Sequence, residues 1–361
     1  MQDGDSNTRR VIQVGVNGWG ATWVPRVMAS PSWEMAAIVD VDPAALAALG
    51  DEHGIPVERR FTSLAQAAAT VEADAALIVT PVATHLDVAS EAFEAGLHVL
   101  IEKPLADTMA NAHELVRRSE AAGRTLMVSQ NYRFRRAAQV VSRIMREGWL
   151  GPLGFANITY RKELHFVTPD VIHGFAAYEY IRDMAIHHLD QIRGLLHCEP
   201  TVVYGHSYNP DWSWFKHAPM LNAVLQLEGG GVVEYFGSWN ARGRQTTFDG
   251  DWYIECAEGQ IEFVNNRVLV HPEIPWLAVQ MDGFLERNGW LEAEIPMDSP
   301  EDRSYVLEAF HRSLVTGEVP ETNGRDNLRS IALTFALADS ARLDEPRAID
   351  DYLAHSEAAT A

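Results

Sequence analysis

Two stretches of the chain carry side chains suited to acid–base chemistry. In the first, Lys103 follows the aliphatic run Leu97–Ile101 and so stands at the carboxyl end of a predicted strand. In the second, Asp183, His187 and Asp190 recur at intervals that place them on one face of a helix. Imidazole accepts protons near neutral pH, and flanking carboxylates orient the ring and stabilise its charged form. The pattern indicates a general base at His187, with an exposed polar helix face as the equal alternative.

His188 and Lys103 also have structural explanations that involve no chemistry. His188 lies at the edge of the apolar stripe of the same helix, and we expect it to be a packed histidine. A lysine at a strand end is most often a solvated charge. Beside a nicotinamide, however, Lys103 would hold a substrate hydroxyl and stabilise the alkoxide that forms as hydride leaves. Metal binding is less favoured, because Asp183 and His187 lack a third ligand.

A glycine-rich turn, Gly15–Gly20, follows the first predicted strand and precedes a helical stretch. Glycine lets backbone N–H groups approach a pyrophosphate at a helix N-terminus. Read from Gly18 as G-x-G-x-x-G, the motif has Trp23 in place of its third glycine, which affects how closely the helix packs on the strand. A turn without a ligand is the alternative. The predicted pyrophosphate contacts are Gly18, Trp19, Gly20 and Ala21.

Asp40 stands about twenty residues beyond this turn, at the end of the second predicted strand. A carboxylate there accepts hydrogen bonds from the ribose hydroxyls of an adenosine and repels a 2′-phosphate. The position therefore favours NAD over NADP. Asp42, before Pro43, is better explained as a helix N-cap. Arg59 and Arg60 offer positive charge to a phosphate and weaken the preference.

The order of predicted elements divides the chain into two domains. Up to residue 130, short aliphatic strands alternate with Ala-rich helices, which is typical of a doubly wound parallel sheet. Beyond about Gly148, strands are separated by hairpin turns such as Gly229–Gly231 and Glu258-Gly259. We therefore expect an α/β fold, with an NAD-binding Rossmann domain over 1–130 and an α+β domain with a mostly antiparallel open sheet over 131–361.

Composition excludes several classes of function. The 361 residues include 50 Asp and Glu against 29 Lys and Arg, a formal net charge of -21, which repels nucleic acid and anionic lipid. Cys198 and Cys256 have no metal-ligand spacing, and neither a signal peptide nor an apolar run of membrane-spanning length is found. The sequence predicts a cytoplasmic protein with no bound metal.

Several of these motifs together resemble the glucose-fructose oxidoreductase, inositol dehydrogenase and MocA family (Gfo/Idh/MocA). The resemblance extends from Val11 to about Leu343. It rests on the following residues in this order: Gly18-Trp19-Gly20, Asp40, Thr80-Pro81 with His85, Glu102-Lys103-Pro104, and Asp183 with His187 and Asp190.

The resemblance implies roles for individual residues. Lys103, Asp183 and His187 would form the catalytic group: the histidine takes the hydroxyl proton, the aspartate orients it, and the lysine bridges substrate and nicotinamide. The cofactor would be lined by Thr80, Pro81, His85 and Glu102. Two further residues, Asn131 and Tyr132, would lie between cofactor and substrate.

The chain departs from the family pattern near the expected substrate. Val82 and Ala185 stand where the family often has Asn and Gly, and Tyr178–Tyr180 replaces a glycine-rich approach to the helix. The aromatic segment Tyr208–His217 suits either a sugar-binding wall or a small satellite core. The predicted substrate contacts are Lys103, Tyr132, Arg161, Tyr178, Asp183, His187 and Trp214.

These observations predict an NAD-dependent oxidoreductase that oxidises a secondary hydroxyl of a sugar, glycoside or cyclitol. The substrate class comes from the resemblance alone. One alternative is a redox-assisted glycoside-cleaving enzyme that recycles its NAD, and another is an NAD- or sugar-sensing protein without catalysis. The resemblance also implies a homodimer or homotetramer that associates through the second domain.

Overall fold

The computed structural model of the protein describes residues 8–164, 178–273, 281, 283–287 and 289–354. Backbone contacts divide the chain into two compact units. Within the described residues, the first unit comprises 8–130 together with Arg303–Leu328, and the second comprises 131–302 together with Arg329–Ala354. Across the described residues, none of the helices has both the length and the apolar character needed to cross a membrane.

The first unit is built on a six-stranded parallel sheet with the order β3-β2-β1-β4-β5-β6. Its strands are almost entirely buried, as expected for a parallel sheet with helices on its faces. The strand order reverses between β1 and β4, and open α/β sheets bind ligands at such a point. The strands are β1 (Arg9–Val14), β2 (Trp33–Val39), β3 (Arg60–Phe61), β4 (Ala75–Ile78), β5 (His98–Glu102) and β6 (Leu126–Ser129).

The helices of this sheet begin and end at residues that the sequence marks. The Asp42 carboxylate accepts from the Ala44 N–H at 2.9 Å, and the Ser63 hydroxyl accepts from the Gln66 N–H at 3.4 Å. Gly96 and Gly123, both with positive φ, follow two of the helices. The helices are α1 (Val24–Ala29), α2 (Pro43–Glu52), α3 (Leu64–Thr70), α4 (His85–Glu94) and α5 (Met109–Ala121).

The second unit contains a ten-stranded sheet with the order β14-β15-β13-β12-β11-β7-β10-β9-β8-β16. Strands β7 and β10 run parallel, and the other pairings of the described strands are antiparallel. The strands are β7 (Leu153–Arg161), β8 (Pro200–Tyr208), β9 (Met220–Leu227), β10 (Val232–Ser238), β11 (Asp251–Cys256), β12 (Gly259–Val264), β13 (Arg267–Pro272), β14 (Phe284–Arg287), β15 (Trp290–Ala293) and β16 (Arg347–Ala348).

Among the described residues, five α-helices follow the first unit's sheet in the chain, and one of them continues from a π-helix. The predicted helix over Glu179–His197 begins as a π-helix, Tyr180–Ala185, before it continues as an α-helix. The wider turn changes the angle between successive side chains, so a period of 3.6 residues does not hold there. The helices are α6 (Arg136–Glu147), α7 (Ile186–Leu196), α8 (Asp302–Thr316), α9 (Gly324–Leu343) and α10 (Asp350–Ala354).

One segment lies in a different unit from the one that the sequence predicts. Residues Arg303–Leu328 belong to the first unit, whereas the sequence places all of 131–361 in the second domain. The Val128 N–H donates to the Thr322 carbonyl at 2.8 Å, which adds the segment to the edge of the sheet at β6. Trp33 of β2 stacks on Phe310 of α8 at 5.5 Å between ring centroids. These partners are far apart in sequence, so local patterns carry no signal for them.

Gly237 permits the closest packing in the core of the second unit. A Cβ atom at this position would lie 1.7 Å from the Tyr180 hydroxyl oxygen. That hydroxyl is buried and shares a hydrogen bond of 2.6 Å with the Tyr235 hydroxyl. A side chain on this residue of β10 would therefore displace the π-helix and its polar contact.

We expect Gly237→Ala to lower the free energy of unfolding by about 2–3 kcal/mol, because a well-packed core cannot accept an added methyl group. Urea unfolding would measure the change. Gly154→Ala is the matched control, since its Cβ would meet nothing closer than the Glu255 carbonyl oxygen at 3.7 Å. Equal stability of the two variants would contradict this account of the core.

Candidate active site

A cavity of about 910 Å³ opens in the first unit beyond the carboxyl ends of β1, β2 and β4. The glycine-rich turn, the end of β2 and the start of α3 line it. Five predicted cofactor residues lie in its wall: Gly18, Trp19, Asp40, Thr80 and Pro81. Sequence reasoning missed others, including Asn17, Thr62, Ser63 and Thr84. The only sequence signal among these was the role of Ser63 as an N-cap.

The turn requires glycine at two positions. Gly15 has φ +88°, and a Cβ on it would lie 2.4 Å from the Val79 carbonyl oxygen. A Cβ on Gly20 would lie 2.3 Å from the Gly15 carbonyl oxygen. Gly18 has φ +52° and open space around it. The close backbone approach is therefore made by Gly15 and Gly20, whereas the sequence motif read from Gly18 expects it at Gly18 and the position of Trp23.

The Asp40 carboxylate is held at the cavity by backbone N–H groups. One oxygen accepts from the Val16 N–H at 2.8 Å, and the other accepts from the Asp42 N–H at 3.0 Å. Each carboxylate oxygen keeps lone pairs for a further donor, such as a ribose hydroxyl. Together with the glycine cradle, this arrangement fits the adenosine half of a dinucleotide.

Arg59 and Arg60, whose charges would favour NADP, have other partners. Arg59 donates to the Glu34 carboxylate and to the Met35 carbonyl, each at 3.3 Å. Arg60 donates to the Ile55 carbonyl at 2.8 Å and forms an ion pair with Asp51, also at 2.8 Å. Neither side chain lines the cavity.

His85 braces the cavity from behind its wall. The ring is buried, and its two nitrogens lie 3.2 Å from the Leu105 carbonyl and 3.0 Å from the Thr80 carbonyl. Burial lowers the pKa of His85, against the effect of these carbonyl groups. The residue therefore fixes the backbone of Thr80 and is not itself part of the cavity lining.

Glu102 is a buried carboxylate that joins the glycine-rich turn to Lys103. Its Oε1 accepts from the indole N–H of Trp19 at 3.0 Å and of Trp23 at 2.8 Å. Its Oε2 accepts from the Lys103 backbone N–H at 3.1 Å. Burial raises the pKa of Glu102, against the charge of Lys103 and the two indole donors. The tryptophan that replaces the third glycine thus has a structural role that the motif did not reveal.

Trp19 is held on its ring face as well as its edge. The Arg303 guanidinium lies 4.3 Å from the centroid of the Trp19 ring and donates to the Thr22 hydroxyl at 2.5 Å. The Trp19 side chain remains 55% exposed and lines the cavity. Gly20 is buried beside it, Ala21 is half-buried, and Lys103 is half-buried after the end of β5. Neither Ala21 nor Lys103 lines the cavity.

The second unit places His187 in a stack of three side chains. The imidazole lies parallel to the Tyr132 ring, with 4.0 Å between centroids and 10° between planes. The Arg135 guanidinium lies 3.6 Å from the same Tyr132 centroid. Two groups at these distances must occupy opposite faces of the ring. Tyr132 is therefore fixed between a cation and the candidate base, and sequence reasoning missed Arg135.

The two carboxylates predicted to flank His187 are separated. Asp183 lies in the π-helix and is exposed. Asp190 is buried and forms an ion pair with Arg133, with the Arg133 Nε donating at 2.6 Å, and it also accepts from the Ser330 hydroxyl at 2.7 Å. The alternative of an exposed polar helix face is therefore wrong for α7, which is buried along its length.

His188 is a packed histidine, as expected from its position beside the apolar stripe. Its Nδ1 lies 2.8 Å from the Tyr235 hydroxyl, and its Nε2 lies 2.9 Å from the Phe248 carbonyl. Because the carbonyl only accepts, Nε2 carries the proton and Nδ1 accepts from the tyrosine. Burial lowers the pKa of His188 to about 4.

The remaining predicted residues lie at separate places in the second unit. Asn131 is buried and its amide donates to the Asp302 carboxylate. Tyr178 has φ +64°, a left-handed conformation that glycine adopts more readily, and its carbonyl accepts from Ile181 at 3.0 Å. Arg161 donates to the Arg242 carbonyl at 3.3 Å, and the Arg242 guanidinium lies 5.3 Å from a Trp214 ring centroid.

The aromatic loop is partly packed and partly exposed. Phe215 is buried and stacks near Trp239, as a satellite core would. Trp212 is 52% exposed, with the Arg242 guanidinium 5.0 Å from its ring centroid. Among the residues that the structure describes, no group of three or more His, Cys, Asp or Glu side chains is arranged to hold a metal ion.

Comparisons with known proteins agree with this architecture. A family model described as "Oxidoreductase family, NAD-binding Rossmann fold" matches residues 9–130, and a second, "GFO/IDH/MocA C-terminal domain", matches residues 138–262. The chain is similar to a D-apiose dehydrogenase of Paraburkholderia graminis, with 25% identity over 86% of this chain and 81% of the relative.

Two solved structures share the fold. One is an oxidoreductase from Agrobacterium radiobacter in complex with NAD+, L-tartaric acid and magnesium, with a TM-score of 0.82, 22% identity, and coverage of 95% of this chain and 99% of that one. The other is the WlbA dehydrogenase from Bordetella pertussis in complex with NADH and UDP-GlcNAcA, with a TM-score of 0.75, 21% identity, and coverage of 94% and 98%.

We expect Glu102→Gln to lower the free energy of unfolding by about 1–3 kcal/mol, because the new amide NH₂ would face either the Lys103 N–H or the indole donors. Urea unfolding followed by tryptophan fluorescence would measure it. Glu94→Gln on α4 is the control, since it changes an exposed carboxylate and should alter stability by less than about 0.5 kcal/mol. An unchanged free energy of unfolding in Glu102→Gln would show that the carboxylate is dispensable.

Folding stability should decrease as pH falls from about 6.5 towards about 4, because the unfolded chain protonates His188 at its ordinary pKa of 6.5 while the buried ring resists until about 4. The protonation of His188 alone should lower the free energy of unfolding by about 3 kcal/mol once the pH is below about 4. Urea unfolding at several pH values would measure it. His188→Gln should have a shallower pH dependence, and an unchanged slope would contradict the assignment.

Proposed function

The chain belongs to the Gfo/Idh/MocA family of oxidoreductases, and from this premise we propose that it oxidises a secondary hydroxyl of a sugar, glycoside or cyclitol with NAD. The observation that carries the proposal is the cavity of the first unit, where the glycine cradle and the Asp40 carboxylate fit a dinucleotide. The substrate class rests on the family and on relatives such as the D-apiose dehydrogenase.

The cofactor contacts proposed are the backbone of the turn and the groups that hold the cavity wall. We assign the pyrophosphate to Gly18, Trp19, Gly20 and Ala21. Backbone N–H groups at the start of a helix attract an anion without a cationic side chain, which suits a protein of net charge -21. Asp40 would accept the ribose hydroxyls and disfavour NADP. The nicotinamide half would be met by Thr80, Pro81, Lys103 and Asn131. His85 and Glu102 would support it from behind, by holding the backbone of Thr80 and Lys103.

The proposed chemistry divides between a base and a cation. NAD, when bound, supplies the hydride acceptor. His187 accepts the proton of the substrate hydroxyl, and its ring is held parallel to Tyr132 for that purpose. Lys103 donates to the same oxygen and stabilises its negative charge as the carbonyl forms. Asp183, exposed at the start of the helix, would stabilise the imidazolium.

The remaining proposals concern recognition and assembly. Tyr132, Arg161, Tyr178 and Trp214 would contact the substrate, in keeping with their positions in the second unit. We further propose a cytoplasmic homodimer or homotetramer, because the family resemblance and an open antiparallel sheet favour association through that unit.

The first experiment offers the purified protein NAD and a panel of hexoses, glycosides, sugar acids and inositols, with NADP in parallel, and measures NADH formation. We expect activity with one stereochemical class. Glycoside cleavage without net NADH would instead support the cofactor-recycling enzyme. Tight NAD binding without any reaction would support a sensor.

Lys103→Met and His187→Asn should each lower kcat about 100-fold or more, because each removes a group that acts on the reacting oxygen. In His187→Asn the Kd for NAD, measured by calorimetry, should change less than about threefold. His206→Asn, an exposed histidine of β8, serves as the control. Near-normal turnover in both variants would exclude these catalytic roles.

Asp40→Ala should raise the Kd for NAD about 10-fold or more and reduce the preference over NADP, because it removes charged hydrogen bonds and a repulsive charge. Asp42→Asn is the matched control, since asparagine also caps α2. An unchanged NAD/NADP ratio in Asp40→Ala would show that another group reads the ribose.

A further inference from the structure

The second unit contains a cavity of about 520 Å³ that none of the predicted roles above uses. It lies among the end of β7, the segment before β11, the turn between β12 and β13, and the segment around the start of α8. We call it the Lys162 cavity. Its polar and aromatic lining includes Lys162, Thr247, Phe248, Asn266, Glu301 and Asp302.

Lys162 brings a positive charge that is not neutralised locally. Within the described part of the chain its ammonium has no ion-pair partner, and it lies 4.7 Å from the centroid of the Phe248 ring. Burial lowers the pKa of Lys162, and no neighbouring carboxylate opposes that effect. A half-buried ammonium is stabilised when an anion binds beside it.

The carboxylates of the cavity already have cationic partners. Asp249 pairs with Arg135 at 3.0 Å, and Asp302 lies 3.7 Å from the same guanidinium. Glu301 pairs with Arg136 at 3.0 Å. Asp302 and Glu301 are nevertheless partly exposed, so their remaining lone pairs are available to hydroxyl donors.

Two further features suit a carbohydrate ring. Phe248 is 45% exposed, although the next residue, Asp249, is buried. The Thr247 hydroxyl is buried and has no hydrogen-bond partner within the described residues. An exposed aromatic face packs against the C–H face of a sugar, and an unsatisfied buried hydroxyl needs a polar ligand atom or a water molecule.

We propose that the Lys162 cavity binds a monosaccharide-sized sugar acid. The carboxylate pairs with Lys162, the ring lies against Phe248, and the hydroxyls donate to Glu301 and Asp302. The volume is within the range of small-molecule sites. In a protein of net charge -21, a local cation favours the binding of an anion, and Lys162 supplies one in this cavity.

The cavity is linked to the candidate base by a short path of contacts. Arg135 lines the cavity and lies on one face of the Tyr132 ring, and His187 lies on the other face. A ligand that draws Asp249 or Asp302 away from Arg135 would change the placement of Tyr132 and, through it, His187. This coupling to turnover rests on the proposed function, whereas binding to the cavity does not.

The test measures binding of D-glucuronate and D-glucose to the protein by isothermal titration calorimetry at low salt. We expect glucuronate to bind more tightly than glucose in the wild type. Lys162→Met should weaken glucuronate at least about 10-fold and abolish the difference between the two sugars, because it removes the charged partner. Phe248→Ala should weaken both sugars several-fold.

Two controls separate this result from trivial causes and from binding at the proposed active site. Arg146→Met removes an exposed positive charge from α6 and should leave both affinities unchanged. His187→Asn should also leave glucuronate binding intact, so loss of binding there would assign the sugar to the active site and overturn the proposal. Absence of glucuronate binding to the wild type, or equal affinity in Lys162→Met with unchanged thermal stability, would overturn it as well.

Discussion

The arrangement of the glycine-rich turn and Lys103 in the first unit depends on hydrogen bonds to one buried carboxylate, Glu102. A buried charge is costly unless hydrogen bonds replace the water it loses. Here the donors are the indole N–H of Trp19 in the glycine-rich turn, the indole N–H of Trp23 just after it, and the backbone N–H of Lys103. The Glu102 carboxylate therefore joins the glycine-rich turn to the backbone of Lys103, the candidate catalytic lysine. Trp23 supplies a donor where the usual motif has a small residue.

A protein of net charge -21 also has to bind an anionic cofactor without a general excess of positive charge. Backbone N–H groups attract an anion without cationic side chains, and we propose this role for the glycine-rich turn that lines the cavity. Asp40 adds a negative charge to the same cavity but is fixed by two N–H donors. We propose that this fixed charge meets the ribose hydroxyls and disfavours a 2′-phosphate.

The second unit uses buried polar contacts to fix the position of the His187 ring, the candidate base. Arg133 and Asp190 form an internal ion pair beneath α7, and His188 is satisfied at both nitrogens. Fully satisfied polar networks restrict a helix to one rotation and one depth. His187, one residue earlier, is thereby held against Tyr132, whose other face carries Arg135. A π-helix, Tyr180–Ala185, leads directly into α7.

The sequence by itself determined the features that depend on near neighbours. The alternation of strands and helices, the N-caps Asp42 and Ser63, and the position of Asp40 at a strand end follow from local periodicity and chain geometry. Only the tertiary structure decided which distant groups meet. The partner of Asp190, the attachment of Arg303–Leu328 to the first unit and the bonds from Trp23 to Glu102 join residues more than fifty positions apart. Such pairings depend on packing in three dimensions, and no local period of side chains encodes them.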